Sequence, residues 1–365
     1  MTSTCTINSQ APHNVSAASK LLSIAIPSYN VEAYLAKTLE SFTDECFEDY
    51  LDVIVIDDGS CDATPQIAQS YAERYPSHIR LVCKENGGHG SAVNTGIQHA
   101  QGTFFRVLDG DDWMLKDNLL RFLDFLKTTN ADAIIDKKSE VSLIDGSKEL
   151  KDFSPFVKTL CKQKPSRFSE LCKRHDIQEA LTIHTLTVKT SLLKEHSISL
   201  LEHCFYVDYE FILKASSCIN TIAFIDLEIY QYLVANTAQS TSAASFVKRY
   251  DNHQRVLEEL LQYRDSFPRS LTAQTLSQAE LDARMNYLFD RIIRLIYTQI
   301  NIALIFDEDR NQGKARAQEL LGFLSASYPY YARACKKRFK LAWVLHCLGF
   351  NENRLRKLMR RSSRS

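Results

Sequence analysis

The sequence predicts an α/β domain whose parallel sheet is covered by helices on both faces, followed by a helical C-terminal region. Two observations predict the sheet. Runs at 21–26, 51–56, 79–83 and 104–108 are largely apolar, without regular polar alternation, as in strands buried on both sides. The segments between them repeat apolar residues at helical spacing, so strand and helix alternate. A third observation predicts the remainder: from about residue 246 onward no run has strand character.

Residues 1–20 are rich in Ser, Thr, Ala and Asn and are expected to be disordered. Order begins at Leu21, and the first strand is expected to stop at Pro27. Val31, Tyr34, Leu35, Thr38, Leu39 and Phe42 then mark one helix face, with Asn30 as candidate N-cap and Glu32 in the first turn. Leu51–Ile56 is the second strand, stopped by Asp57-Asp58-Gly59-Ser60, and Thr64-Pro65 opens the second helix. Ile79–Cys83, the helix Ser91–Ala100 and the strand Phe104–Leu108 continue the alternation. Leu119, Leu120, Leu123 and Leu126 mark another helix and Ala133–Ile135 another strand, and 140–235 reads as mixed α/β. A length of 365 residues predicts two units, divided near 240 into a domain at 21–240 and a helical region at 241–365.

The formal charge of zero is unevenly spread, because residues 331–365 hold eleven Lys/Arg and one acidic residue. Ten cysteines occur without a CxxC pair, and the first twenty residues lack an apolar signal segment. Both features point to a reducing cytoplasm. No apolar run reaches the roughly 18 residues of a membrane-spanning helix; Ile292–Phe306, interrupted by Arg294, Gln299 and Asn301, reads as a buried helix.

In a parallel sheet, ligands bind at the carboxyl ends of the strands, and four polar clusters fall there. These are Pro27-Ser28-Tyr29-Asn30, Asp57-Asp58-Gly59-Ser60, Asn86-Gly87-Gly88-His89-Gly90-Ser91 and Asp109-Gly110-Asp111-Asp112. Three carboxylates in four residues repel one another and cannot all be buried without a cation. Mg²⁺ is typically held by one or two carboxylates plus ligand phosphates, so the last cluster reads as a metal clamp on a diphosphate. Its alternative is a solvated acidic turn with Asp112 capping the next helix. Asp57-Asp58 is either ordinary turn chemistry or an acceptor for a base or ribose. Gly87-Gly88-His89-Gly90 offers N–H groups beside a helix start, which suits an anion. It is neither GxGxxG nor a Walker loop, so dinucleotide-binding and P-loop functions lose support.

The runs Ser23–Leu35, Val55–Thr64, Asn86–Gly96 and Val107–Trp113, in this order and spacing, resemble glycosyltransferase family 2 over roughly residues 21–125. The resemblance implies a GT-A fold, with a donor half at 21–125 and an acceptor half at 126–240. It also implies a nucleotide diphosphate sugar donor, usually UDP-linked, Mn²⁺ or Mg²⁺, and inversion at the anomeric carbon. By position, Pro27, Tyr29 and Glu32 would surround the nucleobase, and Asp58, supported by Asp57, would bond the uracil. Gly87, His89 and Asn94 would contact the nucleotide sugar, and Asp109 and Asp111 would hold the ribose and the metal-diphosphate. Val93 stands where the family often has Arg, so a positive donor contact would be missing or would come from elsewhere, with Lys84, His89 and Arg106 as candidates.

Inverting displacement needs a general base. The resemblance places it at Asp208, in Phe205-Tyr-Val-Asp208-Tyr-Glu210, with Val207 where the family has Glu. Glu210 and Glu202 are fallbacks, and His184 or His203 would line the acceptor side. The resemblance implies as acceptor a cell-surface polysaccharide, glycolipid or related saccharide, or a lipid-linked one. The basic tail, 333–365, flanks Leu341–Phe350 with cations; with Trp343, Leu345 and Leu348 it suits an anionic inner-membrane surface. No nucleic-acid motif accompanies it. Competing readings are a degenerate family member that binds without turnover, and a sugar-nucleotide nucleotidyltransferase. The latter would want a Gly-rich basic loop after the first strand, which Pro27-Ser28-Tyr29-Asn30 does not supply.

Overall fold

The computed structural model describes residues 20–234, 242–351 and 354. The N-terminal segment up to residue 19, the expected boundary near 240 and most of the tail beyond 351 lie outside the described residues. The chain divides into two compact units, 1–203 with 207–235, and 204–206 with 236–365.

The first unit is built on β1 (Leu22–Ser28), β2 (Leu51–Asp57), β3 (Ile79–Cys83), β4 (Phe104–Val107), β5 (Trp113–Met114), β6 (Ala133–Ser142), β7 (Lys148–Lys151), β8 (Ser166–Arg167), β9 (Leu186–Lys189) and β10 (Thr221–Val234). They form one sheet in the order β3-β2-β1-β4-β9-β6-β10-β5, with β7 on β6 and β8 on β10. The first four strands are parallel, as the alternation predicts. β9 then enters antiparallel between β4 and β6, which no local signal in its four residues announces. β6 is longer than the predicted Ala133–Ile135 because its distal half pairs in parallel with β10.

β1 runs through Pro27 to Ser28 instead of stopping at the proline. Ala25 and Pro27 turn their polar groups toward β4, and β4 last pairs with β1 at Val107 opposite Ala25. The missing N–H of Pro27 thus falls where the β1–β4 ladder ends, just beyond the Leu108 N–H bond to the Ala25 carbonyl.

Helices α1 (Leu35–Glu40), α2 (Thr64–Arg74), α3 (His89–His99) and α4 (Lys116–Thr128) follow the predicted periodicities. Asn30 is not an N-cap: it has φ 52°, and α1 begins only at Leu35. Short helices α5 (Pro155–Leu160), α6 (Phe168–Leu171), α7 (His175–Ala180) and α8 (Thr190–Glu195) precede α9 (Val207–Cys218). Ile24, Ile26, Val53 and Val55 of the strands meet Leu35, Leu39, Phe122 and Leu126 of the helices in one fully buried core.

The second unit contains α10 (Ala243–Lys248), α11 (Tyr250–Ser266), α12 (Leu271–Thr275), α13 (Gln278–Asn301), α14 (Arg310–Ser327) and α15 (Pro329–Cys347). A capping box, Ser277 with Glu280, starts α13. The apolar run predicted as a buried helix is the end of α13 continued by a π-helical segment, Ile302–Phe306, with Ile300, Ile302, Ala303 and Leu304 all buried. A Cβ on Gly313 would lie 2.1 Å from the Ala303 carbonyl oxygen, so glycine is what lets α14 approach this segment. No described helix is long and apolar enough to cross a membrane.

Candidate active site

The loops that end β1 and β2 are laced together. Ser60 Oγ accepts from Asn30 N–H (3.0 Å), Thr64 Oγ1 from Val31 N–H (2.9 Å), and Asp62 from Glu32 N–H (3.1 Å). In return Glu32 accepts from Ala63 N–H at 2.8 Å and Asn30 from Cys61 N–H at 2.9 Å. Glu32, expected beside a nucleobase, is exposed and through Oε2 holds the start of α2. Tyr29 is half exposed and Pro27 is buried in β1.

Asp57 and Asp58 end β2 and are both buried. Asp57 accepts from Ser60 N–H at 3.3 Å, the turn chemistry weighed for it. Asp58 accepts from Lys84 Nζ (2.8 Å), Gly87 N–H (3.0 Å) and Gly88 N–H (2.7 Å). The glycine loop therefore does cradle an anion, but the anion is the Asp58 carboxylate, and Gly87 has no N–H left for a phosphate. Gly59 and Gly88 have φ 76° and 83°, where a side chain would strain the backbone.

On α3, Asn94 exchanges two hydrogen bonds with the Leu200 backbone, 3.0 and 2.8 Å, and so fixes the 200–203 segment instead of reaching a ligand. Val93 is fully buried, so this position faces the core. Gly90 allows the same approach, because a Cβ there would meet the Leu201 carbonyl oxygen at 2.2 Å. His203 N–H donates to the Gly87 carbonyl. These ties carry the chain into α9, whose first turn holds Asp208.

His89, the first residue of α3, stands between two carboxylates. Its Nε2 donates to Asp109 Oδ1 at 3.0 Å, and its Nδ1 lies 3.6 Å from Asp208 Oδ1. Burial opposes a charged ring, but the Asp109 hydrogen bond and the charges of Asp208, Asp109 and Asp58 outweigh it and raise its pKa to about 9. Asp208 is the more open of the two acids, with 56% of its side chain exposed. Glu210, the fallback base, is fully buried and bound to Lys214 (2.7 Å) and Leu201 N–H (3.1 Å), so it holds α9 to the preceding segment.

The acidic cluster is held from the far side by β10, with His184, just before β9, beside it. Tyr230 Oη donates to Asp112 Oδ2 at 2.6 Å, and Leu233 N–H donates to Asp112 Oδ1 at 2.7 Å. Asp112 does not cap α4, whose N-cap is Leu115. His184, expected on the acceptor side, has Nε2 3.6 Å from Asp109 Oδ2 and packs against the rings of Tyr230 and Tyr232. Lys138 Nζ donates to its Nδ1 at 3.1 Å. Asp109, Asp112 and His184 bring ligand atoms within 4.8 Å of one another. The two carboxylates suit Mn²⁺ or Mg²⁺, and the imidazole nitrogen favours Mn²⁺ of the two. Asp111, expected as the leading ligand, is not in that group; burial and the neighbouring Asp109 raise its pKa to about 6.

Arg106, one of the candidates for a positive donor contact, is engaged inside the protein. It is fully buried, and its guanidinium donates to both oxygens of Asp136, to the His184 carbonyl and to Thr187 Oγ1. The reading of the sequence missed Tyr230, Lys138 and the Arg106–Asp136 pair. The signal for Tyr230 was a tyrosine in a buried strand, whose hydroxyl needs a partner.

This sheet order, with its ligand-facing strand ends and acidic turn after β4, defines a GT-A glycosyltransferase fold. The first 349 residues of TarS from S. aureus, solved with UDP-GlcNAc, superpose with a TM-score of 0.59 at 20% identity, covering 90% of this chain and 92% of that one. Residues 23–185 match the family described as Glycosyl transferase family 2, and the chain carries a domain of that family. An uncharacterized glycosyltransferase of Bacillus subtilis, EpsJ, is 39% identical over 94 residues, 26% of this chain and 27% of EpsJ. The minor teichoic acid biosynthesis protein GgaB of the same organism is 37% identical over 107 residues, 28% of this chain and 12% of GgaB. The match thus spans about a quarter or less of these relatives' length.

Proposed function

We propose that this chain is an inverting, metal-dependent glycosyltransferase moving a sugar from a UDP-linked donor to a hydroxyl of a cell-envelope polysaccharide, glycolipid or related acceptor. One observation carries the reading: a single imidazole, His89, joins Asp109 of the strand-end cluster to the half-exposed Asp208 at the start of α9. Donor-type and base-type carboxylates thus lie on either side of one side chain. UDP-GlcNAc in TarS and teichoic acid in the names of two relatives support the donor and acceptor classes. The free cysteines among the described residues support a reducing compartment, the cytoplasm.

In this reading Asp58, with Asp57, Pro27 and Tyr29 around it, receives the uracil, and Asp109 receives the ribose. Asp109 and Asp111, with Asp112 and His184 as further candidates, hold a divalent ion, which when bound neutralises charge developing on the leaving diphosphate. His89 orients Asp208. The Asp208 carboxylate takes the proton of the acceptor hydroxyl as that oxygen bonds to the anomeric carbon. The bond from that carbon to the diphosphate oxygen breaks with its electron pair, and the proton remains on Asp208.

Thermal-shift measurements with UDP- and GDP-sugars, with and without Mn²⁺, test the proposal. A ligand at one hundred times its Kd stabilises the folded state by about 2.7 kcal/mol. A UDP-sugar is expected to raise Tm only with Mn²⁺, and Asp111→Asn to abolish the response. No response to any nucleotide sugar would overturn the reading.

A further inference from the structure

In the second unit, α15 has two apolar sides. Tyr331, Cys335, Ala342 and His346 form the buried one, and His346 is fixed between the carbonyls of Leu304 and Arg310 at 2.9 and 3.1 Å. The other side, Ala332, Phe339, Trp343 and Val344, borders with Leu321 of α14 an open groove of about 720 Å³. Phe339 and Trp343 stack there with ring centroids 5.7 Å apart. Arg333, Lys336 and Lys340 stand on the same lining, which contains no carboxylate. Val344, Leu348 and Leu341 continue the arc at helical spacing and are 52%, 64% and 54% exposed. From Pro329 to Asn351 the chain has five Lys/Arg and no Asp or Glu.

We propose that this face docks on an anionic lipid bilayer surface. Trp343, Val344 and Leu348 enter the boundary between headgroups and acyl chains, and Arg333, Lys336 and Lys340 meet anionic headgroups. A groove built for an acidic amphipathic peptide would keep its apolar residues recessed. Here aliphatic side chains stand out beyond the groove with cations beside them, which is the chemistry of an interfacial helix. α15 is too polar to span a bilayer, so the contact is peripheral. The surface uses none of the residues assigned to sugar transfer, so it stands or falls separately from that reading.

The test is co-sedimentation of the full chain with vesicles of phosphatidylcholine alone, or with an equal part of phosphatidylglycerol, at low and high salt. Binding is expected only to the anionic vesicles, weakened by salt. Lys336→Glu/Lys340→Glu should lower it at least about tenfold. Vesicles should also blue-shift tryptophan emission in the parent but not in Trp343→Phe, a substitution that keeps the groove apolar. Equal binding to both vesicle types, unchanged binding by the charge-reversed variant, or an emission shift that survives Trp343→Phe would overturn the proposal. Capture of an acidic protein without vesicle binding would do so too. The UDP-sugar thermal shift, measured on the same variants, reports the transfer site independently.

Discussion

Replacing Arg106 by Met separates two roles that its position near the acidic cluster leaves open, donor contact and internal brace. Arg106 and Asp136 are both fully buried, and the guanidinium reaches Asp136 Oδ1 at 3.1 Å as well as Oδ2. Burial already lifts the Asp136 pKa to about 6 against the opposing pull of Arg106. Without that cation the carboxyl folds protonated. Taking up that proton against an unfolded pKa near 3.9 costs about 4 kcal/mol at pH 7. The parent, with its pKa of about 6, already bears about 3 of these, so the variant loses about 1.4 kcal/mol more at pH 7 and almost nothing more at pH 5. The His184 carbonyl, left without its donor, adds about 1–2 kcal/mol at either pH. The pH 7 total is therefore about 2–3 kcal/mol, at the lower edge of the range for breaking a buried pair from one side, about 3–5 kcal/mol. Urea unfolding followed by circular dichroism at both pH values measures it, and Arg106→Met/Asp136→Leu should recover most of the loss at pH 7. A loss below about 1 kcal/mol, or one that is the same at pH 5 and pH 7, would refute the reasoning. If the double variant folds but no longer responds to a UDP-sugar, Arg106 touches donor after all.

Asn94→Ala removes both hydrogen bonds to Leu200 and is expected to lower stability by about 1–3 kcal/mol while the thermal response to a UDP-sugar persists. Loss of that response in a folded variant would return Asn94 to the donor site. Asp208→Asn should leave metal-dependent donor binding intact and remove transfer; parent-rate transfer would exclude it as the base. In the second unit, burial pushes the His253 pKa down to about 4, with the nearby Gln299 side chain opposing the shift. The unfolded chain binds this proton near pH 6.5, so the native state loses up to about 3 kcal/mol as pH falls from 6.5 to 4, and loses nothing from this group above 6.5. His253→Leu should flatten that slope in pH-dependent melts, and an unchanged slope would exclude His253 as its source.

What the sequence made legible was local. The four apolar runs, their intervening helices and the polar strand ends each lie within a few residues, and parallel pairing follows from their alternation. The strand-end clusters could therefore be placed at one edge before any contact was known. What escaped depends on residues far apart in the chain. β9 owes its place to two neighbours rather than to its own sequence. Asp112 is bound by Tyr230 and Leu233, more than a hundred residues away. Gly87, Asn94 and Glu32 sit in the right motifs, yet their polar groups serve Asp58, Leu200 and Ala63. A motif identifies which residues gather, whereas the partner that consumes each donor or acceptor is set by tertiary pairing.

That distinction sharpens the argument from three crowded carboxylates. Repulsion alone required a cation, but the fold answers two of the three without one. Asp109 is desolvated, yet the nearby His184 ring and the hydrogen bond from His89 hold its carboxyl well below the usual carboxylate range. Asp112 is pushed well above that range by burial and by Asp109, and it meets Tyr230 Oη and Leu233 N–H. Asp111 has no comparable donor set, and burial with the Asp109 charge lifts it to about 6. Geometry gathers Asp109, Asp112 and His184, while unspent ligand capacity singles out Asp111. An ion bridging Asp109 and Asp111 would supply the positive charge that Asp111 lacks and disturb neither the Tyr230 nor the Leu233 bond. An ion on Asp112 would have to compete with both. The electrostatics therefore favour the Asp109–Asp111 pair to which the proposed function assigns the ion.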